Sequence, residues 1–541
     1  MGEDHILTTE PIDRLVTLVE EAARATADSP RNFIEPARGT LDRAKARRHH
    51  LIFGRRGSGK TSLLRRANAD LTLQRIPTAF VDLEAFKGHS FPDVLLSILI
   101  ETLRAFDSWL DETATTPASK TTFWKRVFGA APSKPPLDSK AVASVRATLA
   151  SSIKELESVL HSADGATIRS TARASADRSS GLHADASVKA GSSTVGGAGS
   201  VKVSDQSSLR SEVETVEETR RAKIDFLHRH IIDYQRLFGS IVDLSDHDAF
   251  IFLDDLYHLS RADQPHVLDY FHRIIKGRSA WLKVGTIRHR TDWYHHGAPP
   301  VGIKLGDDCD DIDLDITLEK YELAKKFLLQ VLDQLIEEVD LSGHGLILSD
   351  GAVERLVLAS GGVARDFLTI FRRSVDIARE RGVTHRGPRI NAEDVNVAAG
   401  EHDTSKRDEL KRDTLGEREA LEAALLAIQQ FCIDNKMNCF LVERDKDSPE
   451  TQLIGELVDL RFLHVVAARI TVRRRPGKLY AAYMLDISQY TGERRRRELT
   501  MLAFWKRPEL DRLRLAKFVL EGDQLAAAVA RLPKPSGNAA G

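Results

Sequence analysis

The chain has 541 residues, with 78 Lys and Arg balanced by 79 Asp and Glu, so it is too long for one core and too neutral overall to be a polycation. Several domains are expected, and any nucleic-acid surface has to be a local patch. Three scattered cysteines, Cys309, Cys432 and Cys439, exclude a disulfide framework; with an acidic start and no apolar run near ~20 residues, they suit a cytoplasmic protein with no membrane contact.

Residues 1–45 read as an N-terminal helical segment. The apolar run His50-Leu-Ile-Phe53 then leads into Gly54-Arg55-Arg56-Gly57-Ser58-Gly59-Lys60-Thr61-Ser62, which contains the pattern G-x-x-x-x-G-K-T. Glycines at this spacing let backbone N–H groups turn inward around phosphates, and the helix starting near Lys60 points its positive end at the same anion. Lys60 is expected at the β- and γ-phosphates and Thr61 at Mg²⁺, which makes ATP and Mg²⁺ the implied ligands. Residues 78–83 read as a second strand, and 91–110 carry apolar residues at helical spacing, so 46–112 form the first part of an α/β core. Residues 113–220 form an insert rich in Pro, Ser, Ala and Gly, for which disorder is expected, with a small hairpin over 182–201 as the other reading.

The core resumes over 221–312. Ala249-Phe-Ile-Phe-Leu253 is a buried-strand pattern ending in Asp254-Asp255, which places both carboxylates at the C-terminal edge of a parallel sheet. Asp254 is expected to hold Mg²⁺, and Asp255 to orient the attacking water. A strand over 281–285 ends at Thr286; this residue, Arg288 or Arg290 is placed to sense the γ-phosphate. Residues 301–305 are expected as a fifth strand and 306–315 as an acidic linker. Ile316 stands where a calcium loop beginning at Asp311 would need glycine. Residues 313–402 read as a helical lid: Ser349 caps one helix, Gly361-Gly362 end it, and Arg365 opens the next.

The phosphate loop, the aspartate pair, the strand followed by Thr286 and Arg288, and the lid sequence Gly361-Gly-Val-Ala-Arg365-Asp-Phe-Leu368 resemble an AAA+ ATPase of the origin-recognition initiator branch. The resemblance covers about 36–400 without the insert. It implies a P-loop AAA+ core with a parallel sheet, Asp255 as the catalytic acid, Thr286 or Arg288 as first sensor and Arg365 as second sensor. Asp254-Asp255 departs from the Asp-Glu of many members and shortens the side chain by one methylene, so slow turnover is expected. The same pair is similar to that of the related STAND signalling ATPases.

Residues 413–530 read as a winged-helix-like domain, with β runs over 463–472 and 479–487 flanking the basic tip Arg473-Arg-Arg-Pro-Gly-Lys478. Its candidate recognition helix, 450–460, carries Glu450, Glu456 and Asp459, which would repel phosphates. Arg494–Arg497 read as a solvated basic face and 531–541 as a disordered tail. Two partners stay open: duplex DNA gripped by the wing, or a protein effector recruited by an ATP-gated switch. A homo-oligomer or partner protein is expected either way.

Overall fold

The computed structural model describes residues 6–23, 33–115, 137–162, 217–382, 387–413, 418–444, 448–491 and 499–531. Helix α1 (Glu10–Ala22) buries Ile12, Leu15 and Val19 against the lid. Strand β1 (His50–Phe53) is buried along its whole length and feeds α2 (Lys60–Leu73) through the glycine loop. Next come β2 (Thr78–Asp82) and α3 (Asp93–Thr115).

The expectation of disorder over 113–220 is corrected in part. Residues Ser139–Ser162 form a helix, α4, that packs on α3. Val142, Leu149 and Leu156, seven residues apart, supply its buried stripe, and Arg146 bonds Asp107 and Asp111 of α3. The suggested hairpin over 182–201 lies outside the described residues. A helical stretch over 217–229 continues into α5 (Ile231–Ser245).

Strand β3 (Ala249–Asp254) is buried at every position, as expected of an inner strand covered on both faces. Helix α6 (Gln264–Ile275) connects it to β4 (Ala280–Thr286). The fifth strand is not 301–305. Val301–Gly302 instead closes a two-residue hairpin with Tyr294–His295, and the segment read as an acidic linker supplies β5 (Asp310–Asp313). Only Ile312 of β5 points into the core, while Arg48 bonds Asp310 and Arg288 bonds Asp311 and Asp313. Charge suits such an edge strand. The sheet order is β2-β3-β4-β1-β5, and every pairing is parallel.

The lid comprises α7 (Tyr321–Glu337), α8 (Asp350–Ser360), α9 (Ala364–Arg381) and α10 (Ala392–Asp413). Ser349 caps α8 through Ala352 N, and Gly361 ends it in the left-handed region. The C-terminal domain has α11 (Arg418–Asp434), β6 (Cys439–Glu443), α12 (Pro449–Asp459), β7 (Leu463–Ile470), β8 (Tyr480–Leu485) and α13 (Gly522–Ala530). Its antiparallel sheet runs β6-β8-β7. The architecture is thus an α/β core with a glycine loop after its first strand, a helical lid, and a C-terminal domain built on a three-stranded antiparallel sheet. Lid and C-terminal domain share one hydrophobic core. Among the described residues no helix is long and apolar enough to cross a membrane.

Candidate nucleotide-binding site

Beyond β1 the chain turns through Gly57 and Gly59, at φ 85° and 98°, a backbone that side-chain-bearing residues resist. Lys60 opens α2 and is 4% exposed; its Nζ donates to the carbonyls of Gly54 at 2.9 Å and Arg55 at 3.3 Å. Burial lowers its pKa, and Asp255, Asp254 and Asp315 oppose that shift. A buried cation held by neutral carbonyls gains from any anion brought into the loop. Ser58 Oγ is buried with no hydrogen-bond partner among the described residues, and Ser62 is half-buried in the first turn of α2.

Strand β3 ends at Asp254, 2% exposed and in register with Asp82 of β2. The Thr61 hydroxyl bonds the Asp254 carboxylate. Burial and the Asp255 charge push Asp254 up to about 7 against the pull of Thr61 and Lys60, and burial likewise raises Asp255. A hydroxyl paired with a crowded carboxylate suits Mg²⁺, a hard cation that takes few protein oxygens when it arrives on phosphates. The residues therefore fit ATP·Mg²⁺.

The sensor residues divide. Thr286 is buried at the end of β4, bonded to Thr291, and its carbonyl accepts from Gly54 N at 3.2 Å. Arg288 is engaged by the acidic edge strand: its guanidinium bonds Asp311 at 2.9 Å and lies over the Phe53 ring. Arg290 is buried beside α6, its carbonyl accepting from Gln264. Arg365 does meet the loop, its N donating to Gly57 O at 3.3 Å and its Nε to Ala23 O at 3.1 Å. A Cβ on Gly57 would stand 2.7 Å from Arg365 Cβ, so glycine there also permits the lid contact.

Sequence reasoning missed what joins the loop to the rest of the chain. Arg55 is 2% exposed, bonds Asp315 at 3.2 Å and donates to Gly361 O at 2.9 Å. Arg461, just beyond α12 and at φ 65°, is also 2% exposed. Its Nη1 donates to Arg56 O at 3.3 Å and to Asp366 at 2.9 Å. Lys406 lies 3.0 Å from Asp486, which His464 also bonds. Loop, lid and C-terminal domain thus meet in one buried charge cluster.

Two of the three acids of α12, Glu456 and Asp459, are buried, which corrects in part the reading that they repel DNA; Glu450 stays half-exposed. Glu456 accepts from Arg261 at 2.7 Å, Asp459 accepts from His289 N at 3.1 Å, and a Cβ on Gly455 would stand 2.8 Å from the His289 ring. Burial pushes the Asp459 carboxyl up to about 8, with Asp315 adding to the shift. At the wing, Arg475 is paired with Glu521 and Lys478 with Glu443. Arg473 instead lines an open groove of about 490 Å³ with Lys436, Arg512 and Lys517, against Asp511. Arg494–Arg497 lie outside the described residues.

No family model matches the sequence, and no curated protein does. Solved structures give distant matches. The Walker-type ATPase PABY2304 of Pyrococcus abyssi is 12% identical over 86% of this chain and 98% of its own, with a TM-score of 0.39. The Cdc6p protein of Pyrobaculum aerophilum is 12% identical over 89% and 88%, at 0.29. The Orc1 protein of Aeropyrum pernix, solved in complex with DNA, is 14% identical over 85% and 91%, at 0.32. Likenesses this distant leave the function to be argued from the site.

Proposed function

We propose that this chain is an AAA+ ATPase that couples its nucleotide state to engagement of duplex DNA by the winged-helix domain. The observation that carries the reading is Arg461, which ties that domain to the carbonyl of Arg56 in the phosphate loop and to Asp366 beside Arg365. A triphosphate entering the loop would draw the Lys60 ammonium from the Gly54 and Arg55 carbonyls, and the peptide that Arg461 holds lies next in the chain. Mg²⁺, bound by Thr61 and Asp254, would neutralise phosphate charge. Asp255 would orient the water, and Thr286 and Arg365 would register the γ-phosphate from the core and the lid. A neighbouring copy or a partner protein would complete the assembly.

Duplex DNA would be gripped at the groove rather than by α12, because the groove is walled by C-terminal-domain residues alone and opens while Ile454–Asp459 of α12 are buried. Lys436→Glu with Arg473→Glu is expected to weaken binding to a random duplex on the order of 10-fold and to lower the slope of log K against log salt by about 2. An unchanged slope would remove the groove from the reading.

The burial of α12 against the ATPase core favours a second reading, in which release of the domain recruits a protein effector and hydrolysis resets the switch. ATP turnover with and without duplex DNA, blanked with Lys60→Ala, separates the two. Stimulation by DNA supports the first reading, and slow turnover indifferent to DNA supports the second.

A further inference from the structure

Asp255 is poorly built to take a proton from the attacking water. It is shorter than glutamate, sits at φ 57° immediately after Asp254, and is half-buried. Another carboxylate stands beside it. The single 3-10 turn Leu83–Phe86 follows β2, with Asp82 capping it through Glu84 N at 3.0 Å, and packs against the 3-10 turn Leu256–His258 that follows β3. This brings Glu84, Asp255 and His258 together, with one carboxylate oxygen or ring nitrogen of each within 4.8 Å of the others. His258 Nε2 lies 3.9 Å from Glu84 Oε1; the His258 side chain is 4% exposed, that of Glu84 57%.

We propose that Glu84 is the proton acceptor for ATP hydrolysis, reaching over Asp255 from the neighbouring strand. The inference rests on the ATPase reading of this site. Its physical content is division of labour. Asp255, half-buried at the end of its strand, orients the water; Glu84 has the extra methylene and the solvent exposure to accept a proton and pass it to bulk water. In the step, the water oxygen bonds the γ-phosphorus as the bond from that phosphorus to the bridging oxygen breaks. ADP keeps the electron pair, and the water proton goes to the Glu84 carboxylate.

The test compares the full-length wild type, Glu84→Gln, Glu84→Asp and Asp255→Asn in steady-state hydrolysis at saturating Mg²⁺-ATP, with ATP affinity and thermal unfolding measured on each. Glu84→Gln is expected to lower kcat on the order of 10²- to 10⁴-fold while leaving ATP affinity within about twofold and the melting temperature unchanged, with Glu84→Asp in between. A kcat within about threefold of wild type in Glu84→Gln overturns the proposal. So does a loss of rate accompanied by an equal loss of ATP affinity, which marks a structural role. Wild-type protein without Lys60-dependent turnover overturns the ATPase reading itself, and Glu84 falls with it.

Discussion

Lys60→Ala is expected to abolish measurable ATP binding while leaving the protein at least as stable as the wild type. The ammonium is buried, burial depresses its pKa, and its hydrogen bonds go to two loop carbonyls, so the folded chain bears a desolvation that Asp255, Asp254 and Asp315 offset only in part and a phosphate would offset further. Removing it deletes charge-assisted bonds to two phosphates, roughly 3–4 kcal/mol, or on the order of 10²- to 10³-fold in Kd. Calorimetric titration with Mg²⁺-ATP measures the first effect and thermal unfolding the second. An affinity within about threefold of wild type would end the assignment of the loop. A clear fall in melting temperature would show that Lys60 supports the fold.

The second large effect is expected at Asp366→Asn. Asp366 is 1% exposed, with Arg461 at 2.9 Å, His402 at 3.4 Å and Lys406 at 4.0 Å. Burial alone would raise its carboxyl, yet Arg461, His402 and Lys406 hold it well below the usual carboxylate range, and Lys406 and His464 do the same for Asp486. Removing the charge leaves buried cations uncompensated, at a cost of about 3–5 kcal/mol, read by urea unfolding of the lid and C-terminal domain. Asp366→Leu with Arg461→Met removes both partners and is expected to cost less than Asp366→Asn alone; a double variant as unstable as the single would show that packing matters more than charge. Carboxyls depressed by folding contribute stability that is complete above their unfolded pKa near 4 and declines as pH falls below it. Acidification below about pH 4 should therefore destabilise the wild type more steeply than Asp366→Asn.

Much of the core was legible because its signals are local. The glycine loop, the apolar run ending in Asp254, and Ser349 and Gly361 at the ends of α8 each follow from a few consecutive residues. The edge strand was misread because Asp310, Asp311 and Asp313 look like a linker until Arg48 and Arg288 arrive from elsewhere in the chain to pair with them. Helix α4 was hidden by alanine and serine, although Val142, Leu149 and Leu156 mark its inner face. Glu456 and Asp459 carried a sign but no direction: the same acids repel a phosphate on a free helix and bond Arg261 and His289 on a docked one. Arg461 and Glu84 had no local signal. Each matters through a neighbour on another strand or domain.

The bond from Arg461 to the phosphate loop spans 405 residues of sequence, and that from Arg461 to Asp366 spans 95. A chain leaving the ribosome from its N-terminus therefore exposes a glycine loop, a sheet and most of a lid long before the residue that locks them together has been made. Contacts of such separation form late, after the local elements they join. The joint acts as a completion seal: a chain cut between the lid and Arg461 retains the phosphate loop and its bonds to Gly361 and Arg365, but lacks the fastening to the C-terminal domain.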